Sequence, residues 1–390
     1  MSRANLAGAY LSSGDVDRAI RLHTDVLADC TRVLGPNHPY TLTVRNNLAG
    51  AHKNAGDLRR ATELHEEVLA DIARLLGPDH PGTLLARTNL AAVHEEAGRW
   101  SRAVELLRDN LDRSLRARGP DNRETLVARD LLADAHRGAG DLARATQLYE
   151  FNLAACERVL GPDHPDTAAA RNNLGYVYHH GGAPDRAIPL FARAFADRRR
   201  ALGADHPNTL QSQTNLAFAR TAAGDPKSAI TLHEQVLAAR RRVLGPDHPD
   251  TLASQAGLAD AHEAAGDLEQ AIPLHERALN DRGRVLGWNH PSTLISRINL
   301  ANAHLLAGDL RGAIDLYDSA LSDCVRVLGP LHADTLAAAA NLASAHRAAG
   351  HREAAIRLYE NALAGFERTL GPDHATTRLI RSVLMATRND

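Results

Sequence analysis

Leu244-Gly245-Pro246-Asp247-His248-Pro249 is followed, 42 residues on, by Leu286-Gly287-Trp288-Asn289-His290-Pro291, and variants of this string recur along the whole 390-residue chain. Its glycines stand at Gly35, Gly77, Gly119, Gly161, Gly203, Gly245, Gly287, Gly329 and Gly371, so the spacing of 42 holds without insertion or deletion through nine copies. A period between about 20 and 50 residues marks an array in which each unit buries its apolar face only against its neighbours. No Pro/Ser/Gly-rich linker or shift in composition interrupts the period. Residues 1–390 therefore read as a single array with repeat boundaries near 38, 80, 122, 164, 206, 248, 290, 332 and 374.

Within residues 39–80, apolar side chains return at helical spacing on both sides of Ala55-Gly56-Asp57, which predicts a helix pair, A then B, joined by a tight turn. Helix A is expected to begin near His38-Pro39: proline suits the first turn, where its missing N–H has no partner to lose, and Asn37 or His38 can cap the free amides. Helix A ends at Gly56, and Asp57 caps helix B, in keeping with Pro184 and Pro226 at the next position of later repeats. Gly77-Pro78 then stops helix B after Leu76. Leu48 has a leucine equivalent in every copy from Leu6 to Leu384, and Leu64 recurs as faithfully in helix B, so both are expected at the helix seam. Ala61 is alanine in all nine pairs, Ala19 through Ala355, which indicates helices too close for a larger side chain. Arg74 recurs from Arg32 to Arg368 in the last turn of helix B, where a cation suits the helix dipole and can bond carbonyls of the next loop. Met1 falls partway into a first A helix, and a lone A-type helix from about His374 to Thr387 ends the chain, giving about 19 helices. That last helix is expected to cap the stack, with Arg378, Arg381 and Arg388 in solvent.

Composition narrows the function. Hydrophobic residues make up 44% of the chain, mostly alanine and leucine, and aromatics only 4%, which suits many small helix contacts. The formal charge is −2 and no Lys/Arg run forms the basic stripe that phosphate backbones require, so no nucleic-acid partner is expected. Cys30, Cys156 and Cys324 share one repeat position in three separate repeats and read as buried free thiols of a reducing compartment. No apolar stretch approaches the ~20 residues that span a membrane, and Met1-Ser2-Arg3-Ala4-Asn5 lacks a signal-peptide core, so the expected location is cytoplasmic, without membrane contact. Lysine occurs only at Lys53 and Lys227 among abundant arginines, which hints at a GC-rich bacterial genome.

Chemistry-bearing motifs are missing where catalysis would need them. His65-Glu66-Glu67 and His94-Glu95-Glu96 lack the second histidine of a zinc-protease helix, and no phosphate loop, Cys-x-x-Cys pair or nucleophile elbow occurs. No enzyme activity and no cofactor are expected. Of 21 histidines, His38, His80, His164, His206, His248, His290, His332 and His374 sit one per inter-repeat loop, too far apart to share a metal and placed for cap hydrogen bonds. The adjacent His179 and His180 point ~100° apart on a helix, so no metal site is expected there either.

Leu48, Ala49, His52, Gly56, Ala61 and His65 occupy the spacing of the tetratricopeptide pattern, with histidine often replacing its aromatics and Tyr10, Tyr178, Tyr149, Phe191, Tyr317 and Tyr359 retaining them. With its 42-residue unit, its Leu-Gly-x-x-His-Pro connection and Asn46-Asn47-Leu48-Ala49 in helix A, the chain resembles the tetratricopeptide repeats of kinesin light chains and their bacterial relatives. The resemblance implies an all-α, right-handed superhelical solenoid of nine helix-turn-helix units plus a C-terminal capping helix, with the A helices lining a concave groove. It implies a non-enzymatic scaffold for protein–protein interaction that binds an extended peptide or a partner's surface in that groove, as the recognition module of a larger bacterial regulatory protein.

Transferred to this chain, the groove positions are Asn47, Asn89, Asn173, Asn215, Asn299 and Asn341, whose amides can bond the backbone of an extended peptide or instead a neighbouring helix. Lys53, Glu95, Glu96, Asp134, Arg137, Tyr176, His179, Phe218, Asp260 and Glu263 differ between repeats and are expected to set specificity, with Tyr176, His179, His180 and Phe218 as an aromatic anchor pocket. Leu131 and Gly257 break the asparagine ladder, and the third repeat reads Arg118-Gly119-Pro120-Asp121-Asn122-Arg123, a local bend or drift. Rival readings are a self-associating scaffold, hence a homo-oligomer, and a small-molecule or metal sensor centred on Tyr176–His180.

Overall fold

The computed structural model describes residues 3–12, 15–372 and 374–389, and among these residues every regular element is a helix. Two compact units divide the chain, Met1–Ala183 and Pro184–Asp390, and each is described by itself. The first holds α1 (Arg3–Ser12), α2 (Val16–Leu34), α3 (Pro39–Asn54), α4 (Leu58–Leu76), α5 (Pro81–Glu96), α6 (Trp100–Arg118), α7 (Arg123–Gly138), α8 (Leu142–Val159) and α9 (Pro165–His180). The second holds α10 (Pro184–Leu202), α11 (Pro207–Ala222), α12 (Pro226–Leu244), α13 (Pro249–Ala264), α14 (Leu268–Leu286), α15 (Pro291–Leu306), α16 (Leu310–Leu328), α17 (Ala333–Ala348), α18 (Arg352–Thr369) and α19 (Ala375–Asn389). Odd numbers are A helices and even numbers B helices. Met1, expected to fall partway into a first A helix, lies outside the described residues.

Each boundary has a local cause. The loop histidine does the capping expected of it: the Tyr40 N–H donates to His38 Nδ1 at 3.1 Å, and the same bond recurs at His80, His164, His206, His248, His290, His332 and His374. A ring nitrogen that accepts carries no proton, so these imidazoles are held as the Nε2–H tautomer. In the irregular third repeat Asn122 Oδ1 accepts the Glu124 N–H at 2.9 Å, so the cap survives the loss of His-Pro. Gly77 ends α4 at φ 91°, ψ 161°, a region that only glycine enters freely. A feature the sequence reading passed over locks this turn: Thr83 Oγ1 donates to the Gly77 carbonyl at 2.6 Å, and Thr125, Thr167, Thr251 and Thr293 repeat the bond to their own glycines. Asp57 caps α4 through the Arg60 N–H at 3.1 Å, as do Asp15, Asp141, Asp225, Asp267 and Asp309 their own helices.

Packing follows the constant columns, with two corrections. Every alanine of the Ala61 column, from Ala19 to Ala355, is 0% exposed, which is the close helix crossing expected. Leu48 and its equivalents from Leu90 to Leu384 are buried, whereas Leu6 is 39% exposed. The first correction concerns Leu64. That residue is buried, but its equivalents Leu22, Leu106, Leu148, Leu232, Leu316 and Leu358 are only partly so. The fully buried column is its neighbour, made of His23, His65, Leu107, Tyr149, Phe191, His233, His275, Tyr317 and Tyr359. Position 65 lies four residues after Ala61 and so shares its inward face, while position 64 turns to the side of the helix. The second correction concerns Arg74, expected to bond carbonyls of the next loop. It donates instead to Asn37 Oδ1 in the preceding loop at 2.9 Å, and Arg284 to Asp247 and Arg326 to Asn289 repeat this side-chain stitch at 2.6 and 2.7 Å.

Cys30, Cys156 and Cys324 are buried free thiols. On α19, Ile380 and Leu384 join a buried cluster with Ala355, Tyr359 and Phe366 of α18. Arg378 and Arg388 are exposed as expected, but Arg381 is half-buried and bonds Glu367 at 2.7 Å. Because Ala229 is wholly enclosed, Ala229→Leu should overpack the α11–α12–α13 crossing and cost ~1–3 kcal/mol, read as a lowered midpoint in thermal denaturation.

Candidate functional site

On an A helix, residues spaced by three or four share a face, so positions 46/47, 50 and 53/54 line up beside one another. In the first unit this face opens a groove of about 410 Å³ bordered by Asn46, Asn47, Gly50, Lys53 and Asn89, with His23 and His65 of the B helices beneath. Asn47 is exposed there. Asn89 Nδ2 donates to Asn46 Oδ1 at 2.9 Å, and Asn173 Nδ2 to Asp130 Oδ2 at 3.0 Å, each bond linking an A helix to the one before it. In the second unit Asn299 Nδ2 donates to Asp260 Oδ1 at 3.3 Å, Asn215 Oδ1 accepts from Gln211 Nε2 at 2.9 Å, and Asn341 is half-buried. Three of the six amides, Asn89, Asn173 and Asn299, thus tie one A helix to another, and each such bond uses one of two N–H groups.

The breaks in the row have physical reasons. A Cβ on Gly257 would lie 2.9 Å from the buried His233 ring and 3.3 Å from that of Phe218, so any side chain there would force the His233 ring to move. Phe218 and His233 pack edge to face, ring centroids 5.0 Å apart. Of the four residues expected to form one aromatic pocket, three cluster in the first unit: Tyr176 and His180 have centroids 4.1 Å apart, and His179 and His180 5.1 Å. The Arg137 guanidinium lies over the Tyr176 ring at 5.2 Å. Phe218 belongs to the second unit and pairs with His233 there.

The variable positions carry charge in both signs. Lys53 pairs with Glu96 at 3.4 Å, and Asp134 receives Arg137 at 2.9 Å and the Tyr149 hydroxyl at 2.6 Å. Desolvation, reinforced by the Asp134 carboxylate, pushes Asp130 up to about 6 and Glu95 above its usual value. In the second unit desolvation likewise raises Asp260 to about 6, and His275 Nε2 lies 3.3 Å from Glu263 and 3.8 Å from Asp260. Among the described residues no group of three or more His, Cys, Asp or Glu is arranged to hold a metal ion, and no helix is long and apolar enough to cross a membrane.

A family model described as tetratricopeptide repeat matches residues 1–71, 46–114, 124–200, 182–241, 213–284, 257–324 and 292–368. The chain belongs to the tetratricopeptide repeat family. Repeats of this family generally mediate protein–protein interactions and are generally non-enzymatic scaffolds. No curated protein matches this tetratricopeptide chain. Among solved structures it is similar to a putative kinesin light chain with nearly identical TPR-like repeats from Podosopora anserina, at 30% identity over 53% of this chain and 97% of that one, TM-score 0.49. It is also similar to BtubC (BKLC) from P. vanneervenii, at 22% identity over 60% of this chain and 94% of that one, TM-score 0.52. A Rap protein complexed with Competence and Sporulation Factor matches at 13% identity over 89% of this chain and 98% of that one, TM-score 0.52, a likeness of fold alone.

The histidine column gives this repeat array a measurable acid sensitivity. Burial holds His65 and His233 down at about 4, against 6.5 for a free imidazole. Between these values the unfolded chain takes up the proton and the folded chain does not, so stability is whole above about pH 6.5 and falls as pH drops toward 4. Each such histidine should contribute a decline of roughly 1 kcal/mol per pH unit in that window. His233→Phe, the residue found at the equivalent Phe191, should flatten the decline in urea denaturation compared at pH 7 and pH 5; an unchanged difference between the two would contradict it.

Proposed function

We propose that the chain is a recognition module, without catalysis or cofactor, that binds an extended peptide or a partner's surface along the groove face of its A helices. The observation that carries this reading is the repeated face itself: asparagine amides at one position, with charged and aromatic side chains that change from repeat to repeat at the positions beside it. A recurring row of amides suits the backbone of any extended chain, and variable neighbours suit its side chains. The Rap protein solved with Competence and Sporulation Factor has this fold, and the family generally mediates protein–protein interaction.

Because Asn89 and Asn173 also tie helix to helix, variants at exposed Asn47 separate ligand binding from scaffold support. The test is capture of partners from a cell lysate by the immobilised full chain. Asn47→Leu should lose the proteins retained by the unaltered chain while helicity by circular dichroism stays the same, and the pair Asn173→Leu with Asn215→Leu, which also breaks the Asn173–Asp130 bond, should lose them too. Full retention by both variants would count against the groove.

A further inference from the structure

The repeat builds one notch several times over in the first unit. Between an A helix, its B helix and the next A helix, equivalent positions line notches of about 320, 420 and 150 Å³ in successive repeats. The first has apolar walls from Leu42, Val68, Ile72, Leu76 and Leu85. The second is walled by Leu84, Leu85, Val127 and Leu131, with Asn110 at the place of Val68. That amide is fully engaged: its oxygen accepts from Arg87 Nη1 at 2.8 Å, and its nitrogen donates to the Leu84 carbonyl at 2.9 Å and Thr88 Oγ1 at 3.0 Å. Leu131, the residue that breaks the asparagine row, thus completes an apolar wall.

The third notch, in the irregular repeat, differs in chemistry. Its floor is Asn152, 4% exposed, with Asp130 beside it in the place of Thr88. Asn152 Nδ2 faces Asp130 Oδ1 at 3.4 Å, and this contact with a carboxylate sets which way the amide points. Its oxygen is left buried without a hydrogen-bond partner. The other Asp130 oxygen takes Asn173 Nδ2 at 3.0 Å, and Asp134 adds a second negative charge nearby. Arg123, at the mouth, is held by Asp166 at 3.4 Å. A carboxylate and an orphaned carbonyl oxygen together ask for a donor, and a cationic donor bonds such a pair best.

Resting on the groove reading above, we infer that this row selects an extended peptide carrying a lysine or arginine whose head enters the third notch and donates to Asp130 and Asn152 Oδ1. Apolar side chains of the same peptide fill the two preceding notches. One internal competitor exists: Arg129, the equivalent of Arg87, has a buried Nη1 without a partner and could close onto Asn152 as Arg87 does onto Asn110.

A positional-scanning library of short capped peptides, measured against the full chain, decides between them. Lysine or arginine should be preferred over glutamate by about tenfold at one position, the worth of one charge-assisted bond, with apolar residues preferred at others. Asp130→Asn and Asn152→Leu should each abolish the basic preference and keep the apolar one, which also shows that the variants are folded. Apolar selection without a basic preference, or a basic preference that survives both substitutions, overturns this inference alone, the former being the result expected if Asn152 serves Arg129. No selection at any position overturns it together with the groove reading.

Discussion

The crossing of each helix pair at a wholly buried alanine is the constraint on which the rest depends. A methyl group at Ala61 and its equivalents lets two helix backbones approach until the next inward residue, at position 65, is enclosed as well. That enclosure tolerates leucine, tyrosine, phenylalanine or histidine, because what it demands is volume rather than one chemistry. Once the crossing repeats without variation, each A helix presents the same positions on its open face. Chemical variety can then be written on that face without disturbing the frame.

The junctions between repeats work by substitution of parts rather than by identity. His38 caps through Nδ1 and Asn122 through Oδ1, two different residues that offer one acceptor in one place. Arg74 meets Asn37 while Arg284 meets Asp247, again one geometry with interchangeable acceptors. The third repeat keeps its cap although it has lost Leu, His and Pro, and its altered residues are spent on the notches instead: Arg123 at the mouth, Asp130 and Leu131 on the walls. In the same way Gly257 gives up an amide so that His233 and Phe218 can pack.

How far the sequence reaches is clear from particular columns. A fixed period of 42 residues, with proline, aspartate and glycine at set places, determined by itself the helix class, the helix ends within a residue or two, the close alanine crossing and the histidine caps, because all of these are local consequences of residue type. Position 64 was not legible in this way, since constancy in sequence reports a shared environment but not which side of the helix is enclosed. Nor was the Thr83 column, whose bond to Gly77 spans a turn that only the folded loop brings together.

Tertiary structure alone decided which partners the asparagines of the A helices meet. Asparagine at 89 and 173 could bond a ligand or a neighbour, and only the placement of the preceding A helix shows that Asn46 and Asp130 stand within reach. Position 68 is valine or alanine in most repeats and asparagine at 110 and 152, a signal visible in the sequence. What separates those two asparagines is not. Arg87 satisfies the first, whereas Asp130 draws the second away from Arg129 and leaves an acceptor unbonded at the floor of a notch, an outcome set by three helices meeting in space.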